Sequence, residues 1–394
     1  MSEDRSAAEE RSSTSTAPVR VSLDATAVPA RPAGAGRYVL DLAAALARRS
    51  DVALTIVCQA GDEDRWRRAD PGVEVVGPGP TRRVLRLAWE QVRLPGILAR
   101  LPVDVHHGPH YTMPERASLP RVVTIHDLTL VEHPDWHEPA KVAFFRRAIR
   151  IAAARADALI AVSAATADRL RAVFDPKAPV HVVAHGVDHS RFRVLDPGDE
   201  AGASLDRAAL RRLGVRSPYV AFVGTLEPRK DVPTLVRAFD RLATAHADVA
   251  LVLAGGRGWG TRAVERAVRE ASHGDRVLLA GYISEDEKAA LLRGAAAAAY
   301  PSLEEGFGLP ALEALACGAP VVTTWGSAME EVTGDAALLV APGHDDALAE
   351  ALESAMAGGP EVEGRRARGV EVAARFTWEA SAAAHAAVYR SVAH

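Results

Sequence analysis

Residues 304–318 read EEGFGLPALEALACG, a stretch in which two glycines and a proline follow a pair of acidic residues. Gly306 and Gly308 can adopt backbone angles that are closed to other residues. Pro310 suits the first turn of a helix, where an amide hydrogen would find no partner. The letters LEALAC favour a helix, and Gly318 favours its end. The stretch therefore predicts a loop that leads into one short helix.

The start of this short helix is suited to an anion. Its first amides have no partner within the helix, and the helix dipole attracts negative charge to that end. Glu305 lies on the loop and Glu313 lies about one turn inside the helix, so the two carboxylates flank this place. We expect a ligand that carries both phosphate and hydroxyl groups.

Outward from this stretch, short apolar strands alternate with segments of helical period. Such alternation is typical of a parallel sheet that is covered by helices on both faces. The predicted strands are residues 19–28, 52–58, 102–108, 121–127, 157–163 and 180–186, and then 219–224, 249–256, 276–282, 295–301 and 320–324.

A break divides this series. Residues 193–204, RVLDPGDEAGAS, are rich in Asp, Gly and Pro, and a second alternating series begins after them. The chain is also too long, at 394 residues, for one ordinary core. We therefore predict two doubly wound α/β domains, over residues 19–200 and 201–375.

Composition limits the class of protein. Hydrophobic residues make up 48% and charged residues 25%, which is typical of a globular protein that stays in solution. The formal net charge of -4 offers no basic field for nucleic acid. Cys58 and Cys317 lie in apolar runs without partner spacing, which argues against a disulfide framework or a zinc site and fits a reducing cytoplasm.

The first 18 residues are polar and charged, and they predict a disordered tail rather than a signal peptide. Arg, Asp or Gly interrupts every later apolar run, so we expect no membrane-spanning helix and a cytoplasmic location.

The informative loops follow strands directly. Ligands of open parallel sheets bind at the carboxyl ends of the strands, so these loops should converge on a cleft between the domains. The loops are AVPARPAGAGRY at 27–38, IHDL at 125–128, GTLEPRKD at 224–231 and PSLEEGFGLP at 301–310.

The loop GTLEPRKD places Arg229 and Lys230 just before a helix that is predicted to start near Asp231. A guanidinium and an ammonium beside helix amides suit a diphosphate, whose charge must be stabilised as a bond to it breaks. A solvated basic turn would read the same way, but the nearby glutamate stretch favours a binding role.

Two first-domain loops carry further candidates. Gly34 and Gly36 precede a helix, which allows the backbone to approach a ligand, although a tight turn explains them equally well. They do not form the dinucleotide fingerprint, because the third glycine is missing. His126 leaves a buried strand directly before Asp127, which could orient or polarise its ring. A lone histidine is more often structural, yet the strand end points to the cleft.

Two patterns resemble metal sites without supporting one. Residues 62–64, DED, could hold a metal-bound nucleotide, but they stand beside Arg65 and Arg67 and predict a solvated turn. Three histidines also lie close in sequence. Adjacent strand residues point to opposite faces and no carboxylate partner is evident, so no metal is inferred. The histidines are His106, His107 and His110.

Residues 81–100, TRRVLRLAWEQVRLPGILAR, form a basic amphipathic pattern. Leu85, Trp89 and Val92 share one helical face, and arginines surround it. Such helices can lie on anionic membranes. Packing against the first sheet explains the same pattern and is the prediction we favour, with peripheral membrane contact left open.

The motifs together resemble a known family. EGFGLPALE at 305–313 resembles the E-x7-E signature of the retaining nucleotide-sugar glycosyltransferases of family four, which have the GT-B architecture of two facing Rossmann-like domains. GTLEPRKD is similar to the phosphate-binding turn of that family. HGVDHSRF at 185–192 and SAMEEVTGDAALLVAP at 327–342 are similar to two further segments of it. The final segment, 376–394, resembles a last helix that crosses back to the first domain.

This resemblance implies roles on the donor side. Glu313 would bind the ribose hydroxyls and Glu305 the donor sugar. Lys230 and Arg229 would bind the diphosphate and take part in catalysis with Glu305. The glycine loop would meet sugar or phosphate through its backbone, at Gly306, Phe307, Gly308 and Leu309.

On the first-domain side, the resemblance places Gly36 beside the diphosphate and His126 beside both sugar and acceptor, with Asp127 next to it. Three positions depart from the family pattern. Thr225 stands where many relatives have an arginine, His185 replaces an asparagine, and Glu330 replaces a proline. We expect Arg229 to do the work of the arginine that is missing at Thr225.

The sequence therefore predicts a retaining glycosyltransferase that moves a hexose from a nucleoside diphosphate sugar to a hydroxyl of a glycan, glycolipid or small molecule. The motifs favour GDP-mannose as the donor and call for no metal and no further cofactor. A sugar-nucleotide epimerase and a non-catalytic nucleotide-sugar binding subunit are the alternatives. The motifs do not determine the acceptor or the oligomeric state.

Overall fold

The computed structural model describes residues 17–69 and 71–393. These residues form two parallel sheets, each covered by helices. The predicted tail, residues 1–18, lies outside the described residues except for its last two, which are exposed.

The first sheet has the strand order β3-β2-β1-β4-β5-β6-β7. Its strands are β1 (Val19–Asp24), β2 (Val52–Gln59), β3 (Glu74–Gly79), β4 (Val105–Gly108), β5 (Arg121–Ile125), β6 (Ala158–Ala161) and β7 (Val180–Val182). The helices that accompany it are α1 (Ala35–Ala47), α2 (Glu63–Ala69), α3 (Arg83–Val92), α4 (Leu94–Leu98), α5 (Thr129–Glu132), α6 (Pro139–Arg155) and α7 (Ala164–Phe174).

The second sheet has the order β10-β9-β8-β11-β12-β13. Its strands are β8 (Tyr219–Val223), β9 (Ala250–Ala254), β10 (Val277–Gly281), β11 (Ala297–Tyr300), β12 (Val321–Thr324) and β13 (Ala337–Val340). The remaining helices are α8 (Glu200–Leu213), α9 (Val232–Ala245), α10 (Thr261–Glu270), α11 (Glu285–Arg293), α12 (Leu309–Ala316), α13 (Ala328–Thr333), α14 (Asp345–Met356), α15 (Pro360–Ala374) and α16 (Trp378–Val392).

In both sheets the strand order reverses beside the first strand. β1 lies between β2 and β4, with Leu23 in register with Ile56 on one side and His107 on the other. β8 lies between β9 and β11 in the same way. Loops on the two sides of such a switch point separate and leave a crevice at the carboxyl ends of the strands, which is where ligands of these sheets bind.

Two edge strands, β3 and β13, were missed by the sequence prediction. β3 has the sequence EVVGPG and is mostly half-buried or exposed, so it lacks the continuous apolar run of a central parallel strand. β13 buries only its two end residues fully. Edge strands pair on one side alone, and their weaker patterns are consequently harder to recognise.

The last helix, α16, packs on the first sheet rather than on the second. The hydroxyl of Tyr389 lies 2.8 Å from Nδ1 of His107 on β4, and Tyr38 of α1 lies 2.9 Å from Nε2 of His385. The chain crosses back to the first domain just before α16, where the carbonyl of Phe376 accepts the amide of Val187 at 3.0 Å. A Cβ on Gly186 would overlap the backbone of Trp378, so this crossing needs glycine.

Two local predictions were wrong. Residues 62–64 do not form a solvated turn but lead into α2, where Asp62 pairs with Arg65 at 3.4 Å and Asp64 with Arg67 at 3.6 Å. These i,i+3 ion pairs favour helix over turn.

The expected packing of α3 on the first sheet was also wrong for Leu85 and Val92, which are 55% and 75% exposed. Trp89, on the same predicted face, is half-buried and joins a small cluster with Leu94 of α4 and Val57 of β2. Leu85 and Val92 are therefore left toward solvent.

Candidate functional site

A cleft of about 360 Å³ lies between the two sheets and is lined by residues of both. Its walls come from the loops that follow β1, β5, β8 and β11, as the switch points of the two sheets require. The lining residues that the sequence predicted are His126, Asp127, Thr225, Arg229, Lys230, Glu305, Gly306, Phe307, Gly308, Leu309 and Glu313.

Gly36 is not among the residues that line this cleft. Gly34, with a φ of 50°, and Ala35 lie there instead, at the start of α1. A Cβ on Gly36 would lie 3.2 Å from atoms of Pro29 and Pro32, so its small size serves the packing of the loop. Gly34 and Ala35 thus lie nearer the cleft than Gly36, and the diphosphate contact of Gly36 stays a prediction.

The N-terminus of α12 opens on the cleft. Gly308 precedes the helix with a φ of 94°, a conformation that glycine adopts without strain, and Pro310 occupies the first turn. The carbonyl of Gly308 accepts the amides of Ala311 and Leu312 at 3.0 and 3.2 Å. Within the described ranges, no hydrogen bond is made by the amides of residues 306–309. This run of free donors at a helix start is suited to phosphate.

Glu305 is held by two cations and a hydroxyl. Arg229 donates to its Oε2 at 2.6 Å, Lys230 pairs with its Oε1, and the Ser302 hydroxyl donates to Oε1 at 2.8 Å. Burial alone would raise the pKa of Glu305, but Arg229 and Lys230 outweigh it and lower the pKa to about 2. Glu305 is consequently a carboxylate at neutral pH that fixes both cations at the mouth of α12.

Glu313 has a different environment one turn inside α12. Lys288 donates to its Oε1 at 2.8 Å and forms an ion pair with Glu285 at 2.9 Å, while Glu313 Oε2 is buried without a hydrogen-bond partner. Burial, opposed by Lys288 and reinforced by Glu285, raises the pKa of Glu313 to about 6. An unpaired buried carboxylate oxygen is costly unless a ligand donates to it, and hydroxyl groups are suitable donors.

His126 lies across the cleft in a neutral form. Its Nε2 lies 2.8 Å from the carbonyl oxygen of Pro109, which can only accept, so Nε2 carries the hydrogen. Burial lowers the pKa of His126 despite Pro109 and Asp127. The other ring nitrogen, Nδ1, is therefore an acceptor at neutral pH.

The sequence predicted that Asp127 orients this ring, and the structure places that contact elsewhere. Oδ1 of Asp127 accepts the amide and hydroxyl of Thr129 at 3.0 and 2.7 Å. Burial would raise the pKa of Asp127, but Arg229 and Thr129 lower it overall. Asp127 thus stabilises the loop after β5 and lies near Arg229, and the Pro109 carbonyl orients His126.

The two walls touch at the glycine loop. A Cβ on Gly306 would overlap the carbonyl oxygen of His126, and Thr166 of the first domain donates to the Gly306 carbonyl at 3.2 Å. Arg169 forms an ion pair with Glu304 beside this contact. Only glycine at position 306 allows the glycine loop and the strand end at His126 to approach so closely.

Several lining residues carry no signal that the sequence analysis used. His185 is buried between Tyr38 and Phe307, with 4.7 Å between the ring centroids in each pair, although it was noted only as a departure from the family. Lys288 belongs to α11, an ordinary amphipathic helix in sequence. The others are Tyr282, Glu285, His110, Lys141 and Phe145.

Metal ligation finds no support in the described ranges, where no group of three or more His, Cys, Asp and Glu side chains is placed to hold an ion. His106 and His107 lie inside the first sheet, where His106 contacts Ser22 at 2.8 Å and His107 contacts Thr124 at 2.8 Å. These contacts are hydrogen bonds within the protein core.

Two family models match the chain, one on each domain. A model described as Glycosyltransferase Family 4 matches residues 32–191, and one described as Glycosyl transferases group 1 matches residues 211–371. The second range contains Arg229, Lys230, Glu305 and Glu313.

Relatives and solved structures agree with these matches. The D-inositol 3-phosphate glycosyltransferase of Xylanimonas cellulosilytica is 31% identical over 396 residues, covering 90% of this chain and 91% of that protein. The O-antigen chain mannosyltransferase B of Escherichia coli is 29% identical over 276 residues, covering 70% and 71%.

Sucrose-phosphate synthase from Thermosynechococcus elongatus has a similar structure, with a TM-score of 0.75, 23% identity and coverage of 95% of this chain and 98% of that one. Anabaena HepE in complex with UDP and glucose has a TM-score of 0.76, 18% identity and coverage of 95% and 100%. At these identities the likeness concerns the fold.

Proposed function

The chain belongs to glycosyltransferase family 4, and on that premise we propose that it transfers a hexose from a nucleoside diphosphate sugar to a hydroxyl group, with retention at the anomeric carbon. Its two facing parallel sheets have the GT-B architecture, so the resemblance in fold and family is confirmed. The reaction's stereochemistry, its sugar and the roles of single residues are the proposal.

One observation carries this proposal: the free amides of residues 306–309 open on the cleft between Glu305 and Glu313. The amides and the two cations beside them match a diphosphate. The unpaired Oε2 of Glu313 matches a ribose hydroxyl, and Glu305 stands where the transferred sugar would lie. A nucleoside diphosphate sugar presents its ribose, its diphosphate and its sugar in that order, as do Glu313, the free amides and Glu305.

The proposed chemistry needs charge stabilisation rather than a strong nucleophile. As the anomeric bond breaks, negative charge grows on the leaving diphosphate, and Arg229, Lys230 and the helix start stabilise it. The departing phosphate oxygen would take the acceptor proton on the same face of the sugar, which accounts for retention. Glu305, ionised and tied to both cations, positions them before substrate arrives and does not donate a proton.

We favour mannose from GDP-mannose as the transferred group. Support comes from the E. coli relative, whose name gives mannosyl transfer, while the HepE complexes support the wider class of nucleotide sugars. The acceptor would be a glycan, a glycolipid or a small hydroxyl compound.

The deciding experiment pairs binding with transfer. A thermal-shift panel of nucleoside diphosphates and their sugars should raise the melting temperature with the cognate donor, because a ligand that binds only the folded state stabilises it. Transfer with that donor should fall by about 100-fold or more in Lys230→Ala and in Glu305→Ala, and stay normal in the exposed control Lys177→Ala. Near-normal turnover in both site variants would defeat the assignment.

The same assay separates the alternatives. An epimerase would isomerise the donor sugar without any acceptor, whereas a binding subunit would bind donor and neither transfer nor hydrolyse it. The anomeric configuration of the product, followed by nuclear magnetic resonance, tests retention directly.

We further propose that transfer needs no metal ion, because Arg229 and Lys230 supply positive charge at the diphosphate. Rates with and without EDTA are expected to agree. A loss in EDTA that Mg²⁺ or Mn²⁺ restores would contradict this part of the proposal.

Peripheral membrane contact is the last part of the proposal. No helix in residues 17–69 or 71–393 is both long and apolar enough to cross a bilayer. α3, however, exposes Val84 at 79%, Leu85 at 55% and Val92 at 75%, with the exposed arginines Arg82 and Arg93 at its two ends. We propose that this face lies on an anionic lipid bilayer, whose charge complements the arginines.

Co-sedimentation with phosphatidylglycerol vesicles tests this contact. A Val84→Ser, Val92→Ser double variant should bind them several-fold less, while Val173→Ser, an exposed valine on α7, should bind normally. Equal binding by the parent protein and both variants would contradict a contact between α3 and the membrane.

A further inference from the structure

A second cavity, of about 200 Å³, adjoins the acceptor side of the cleft. It lies among α3, α6 and the loop that follows β4, and it shares His110, Lys141 and Phe145 with the cleft. A group that occupies it is therefore next to whatever lies at His126, whose ring centroid is 5.8 Å from that of His110.

Three cations line this cavity: Arg83 and Arg86 of α3 and Lys141 of α6. In the described part of the chain none of them forms an ion pair, and the guanidinium of Arg83 lies 6.0 Å from the ring centroid of Phe145. In the part of the chain that the structure describes, most half-buried cations pair with a carboxylate, as Arg229 and Lys288 do. Half-buried Arg86 and Lys141, with the more exposed Arg83, gather around an open space instead.

The carboxylates nearby offset these cations only in part. Asp24 is the acidic residue in the lining, and its Oδ1 already accepts the amide and hydroxyl of Thr26 at 2.8 and 2.6 Å. Glu90, on the buried side of α3, is removed from water, and burial together with the Asp24 charge raises its pKa to about 8. The cavity consequently keeps an excess of positive charge at neutral pH.

His110 adds an unsatisfied polar atom. The residue is half-buried, but its Nδ1 is shielded from solvent and has no hydrogen-bond partner in the described ranges. Burial, with His126 and Arg86 acting in the same direction, lowers the pKa of His110 to about 3, so the ring is neutral. A buried polar atom without a partner between two cavities points to a ligand that completes its hydrogen bonding.

We propose that this cavity binds an anionic group, a phosphate monoester or diester, carried by the acceptor. The inference rests on the proposed function and specifies its acceptor class. With the anion held by Arg86, Lys141 and Arg83, a hydroxyl on the same molecule extends past His110 toward His126 and the donor sugar. The acceptor is then a phosphorylated polyol or sugar, either free or as the headgroup of a lipid.

Glycerol 3-phosphate and glycerol are the probes for the free form. Calorimetric titration of the full chain, with and without the cognate nucleoside diphosphate, should show that glycerol does not bind and that glycerol 3-phosphate does. An Arg86→Gln, Lys141→Gln double variant should bind it about 10-fold or more weakly, since each charge-assisted hydrogen bond is strong. The double control Arg146→Gln, Arg150→Gln, two exposed arginines on the same helix as Lys141, should bind it like the parent protein.

Phosphatidylglycerol vesicles, with phosphatidylcholine vesicles as the neutral reference, probe the lipid-bound form. Binding of either probe that the double site variant loses and the control keeps supports the proposal and identifies the source of the phosphate. Equal binding of both probes by site variant and control, or no binding of either probe, overturns it.

The failure of this inference differs from that of the proposed function. The double site variant leaves Arg229, Lys230 and α12 untouched, so its thermal shift with nucleoside diphosphate should match the parent protein. That shift also reports folding. If the glutamine pair fails to fold, the single variant Lys141→Gln carries the same test with a smaller expected loss.

Discussion

The two walls of the cleft are built from opposite materials. The second-domain wall is a chain of buried ion pairs, in which Glu305 holds Arg229 and Lys230 while Glu313 holds Lys288. The first-domain wall places neutral rings at its centre, His126, His110 and His185, although Asp127 and Lys141 also line it.

The difference fits the division of roles in the proposed reaction, with the donor on one wall and the acceptor on the other. Charged groups fixed before substrate arrives are suited to the fixed part of a donor, its diphosphate, whatever the acceptor. Neutral rings stabilise by shape and by single hydrogen bonds, which suits a partner that varies. The predictions below test that division, from the largest expected effect to the smallest.

Gly306→Ala should have the largest effect, because the added methyl overlaps the His126 carbonyl and separates the two walls. Misplacement of about 1 Å can cost about 100-fold in rate, and we expect at least that loss of kcat. Donor binding, which the proposal places mainly on the second wall, should change far less by thermal shift. Gly343→Ala provides the control, since its substitution meets no neighbouring atom, although its φ of 78° makes a small loss of stability expected. Equal loss of donor binding and of kcat would show that the walls are not separate units.

The neutral rings predict a pH-dependent stability. Burial lowers the pKa of His385 to about 4 and that of His107 well below its usual value, whereas both titrate near 6.5 when unfolded. Below about pH 6.5 the unfolded chain therefore binds more protons, and the free energy of unfolding falls as pH falls toward about 4. Each such histidine contributes up to about 1.4 kcal/mol per pH unit.

Urea unfolding at several pH values measures this slope. Replacement of the exposed His344 by Gln should leave the slope unchanged, while His185→Asn should reduce it, because His185 is another ring that stays neutral in the fold. A stability that is flat between about pH 7 and pH 5 would refute the neutral character of this wall.

The second wall predicts a pH-dependent donor affinity. Glu313 has its pKa raised to about 6 by burial, and only its ionised form accepts hydroxyl hydrogens at both oxygens. The Kd for a sugar nucleotide should therefore rise as pH falls through about 6, by up to about 10-fold per unit below that.

In Glu313→Gln the affinity should be lower at neutral pH and should lose this dependence. Titration calorimetry with a sugar nucleotide, whose diphosphate does not titrate in this range, measures both. A pH dependence that survives in Glu313→Gln belongs to another group and would separate Glu313 from the ribose.

The smallest effect is expected where the walls are joined at the surface. Glu331 accepts the amides of Ala164 and Ala165 at 2.9 and 3.1 Å, which caps α7 of the first domain from the second. Glu331→Gln keeps the shape and removes the charge, so stability should fall by about 1 kcal/mol or less. The KM for acceptor should rise more than that for donor, with the neighbouring exposed Glu330→Gln as control.

The second-domain wall was predictable from sequence because its charged residues and its helix start lie close together in the chain. The glycine loop, Pro310 and the two glutamates are consecutive, and α12 follows from them directly. Arg229 and Lys230 likewise follow their own strand in one short loop. Both groups meet because parallel strands end at one edge of a sheet.

The first-domain wall was predictable only in part. His126 was found by its position at a strand end, but the carbonyl that orients it belongs to Pro109, 17 residues earlier. Lys141 and Arg86 lie on different helices and meet at a cavity that no local pattern announces. α3 shows the same limit, since its amphipathic period is real but its exposed side is decided by where α4 lies.

The amino-acid order by itself determined most of the elements, the two sheets and the glycine loop that leads into α12, because period, glycine and proline act within a few residues of chain. Only the tertiary structure decided which charges are paired, which rings are neutral and where Glu313 keeps a free oxygen. Those properties depend on burial and on partners up to hundreds of residues away, as with Tyr38 and His385. Desolvation and Coulomb interactions are set by distance in space, which the sequence does not state.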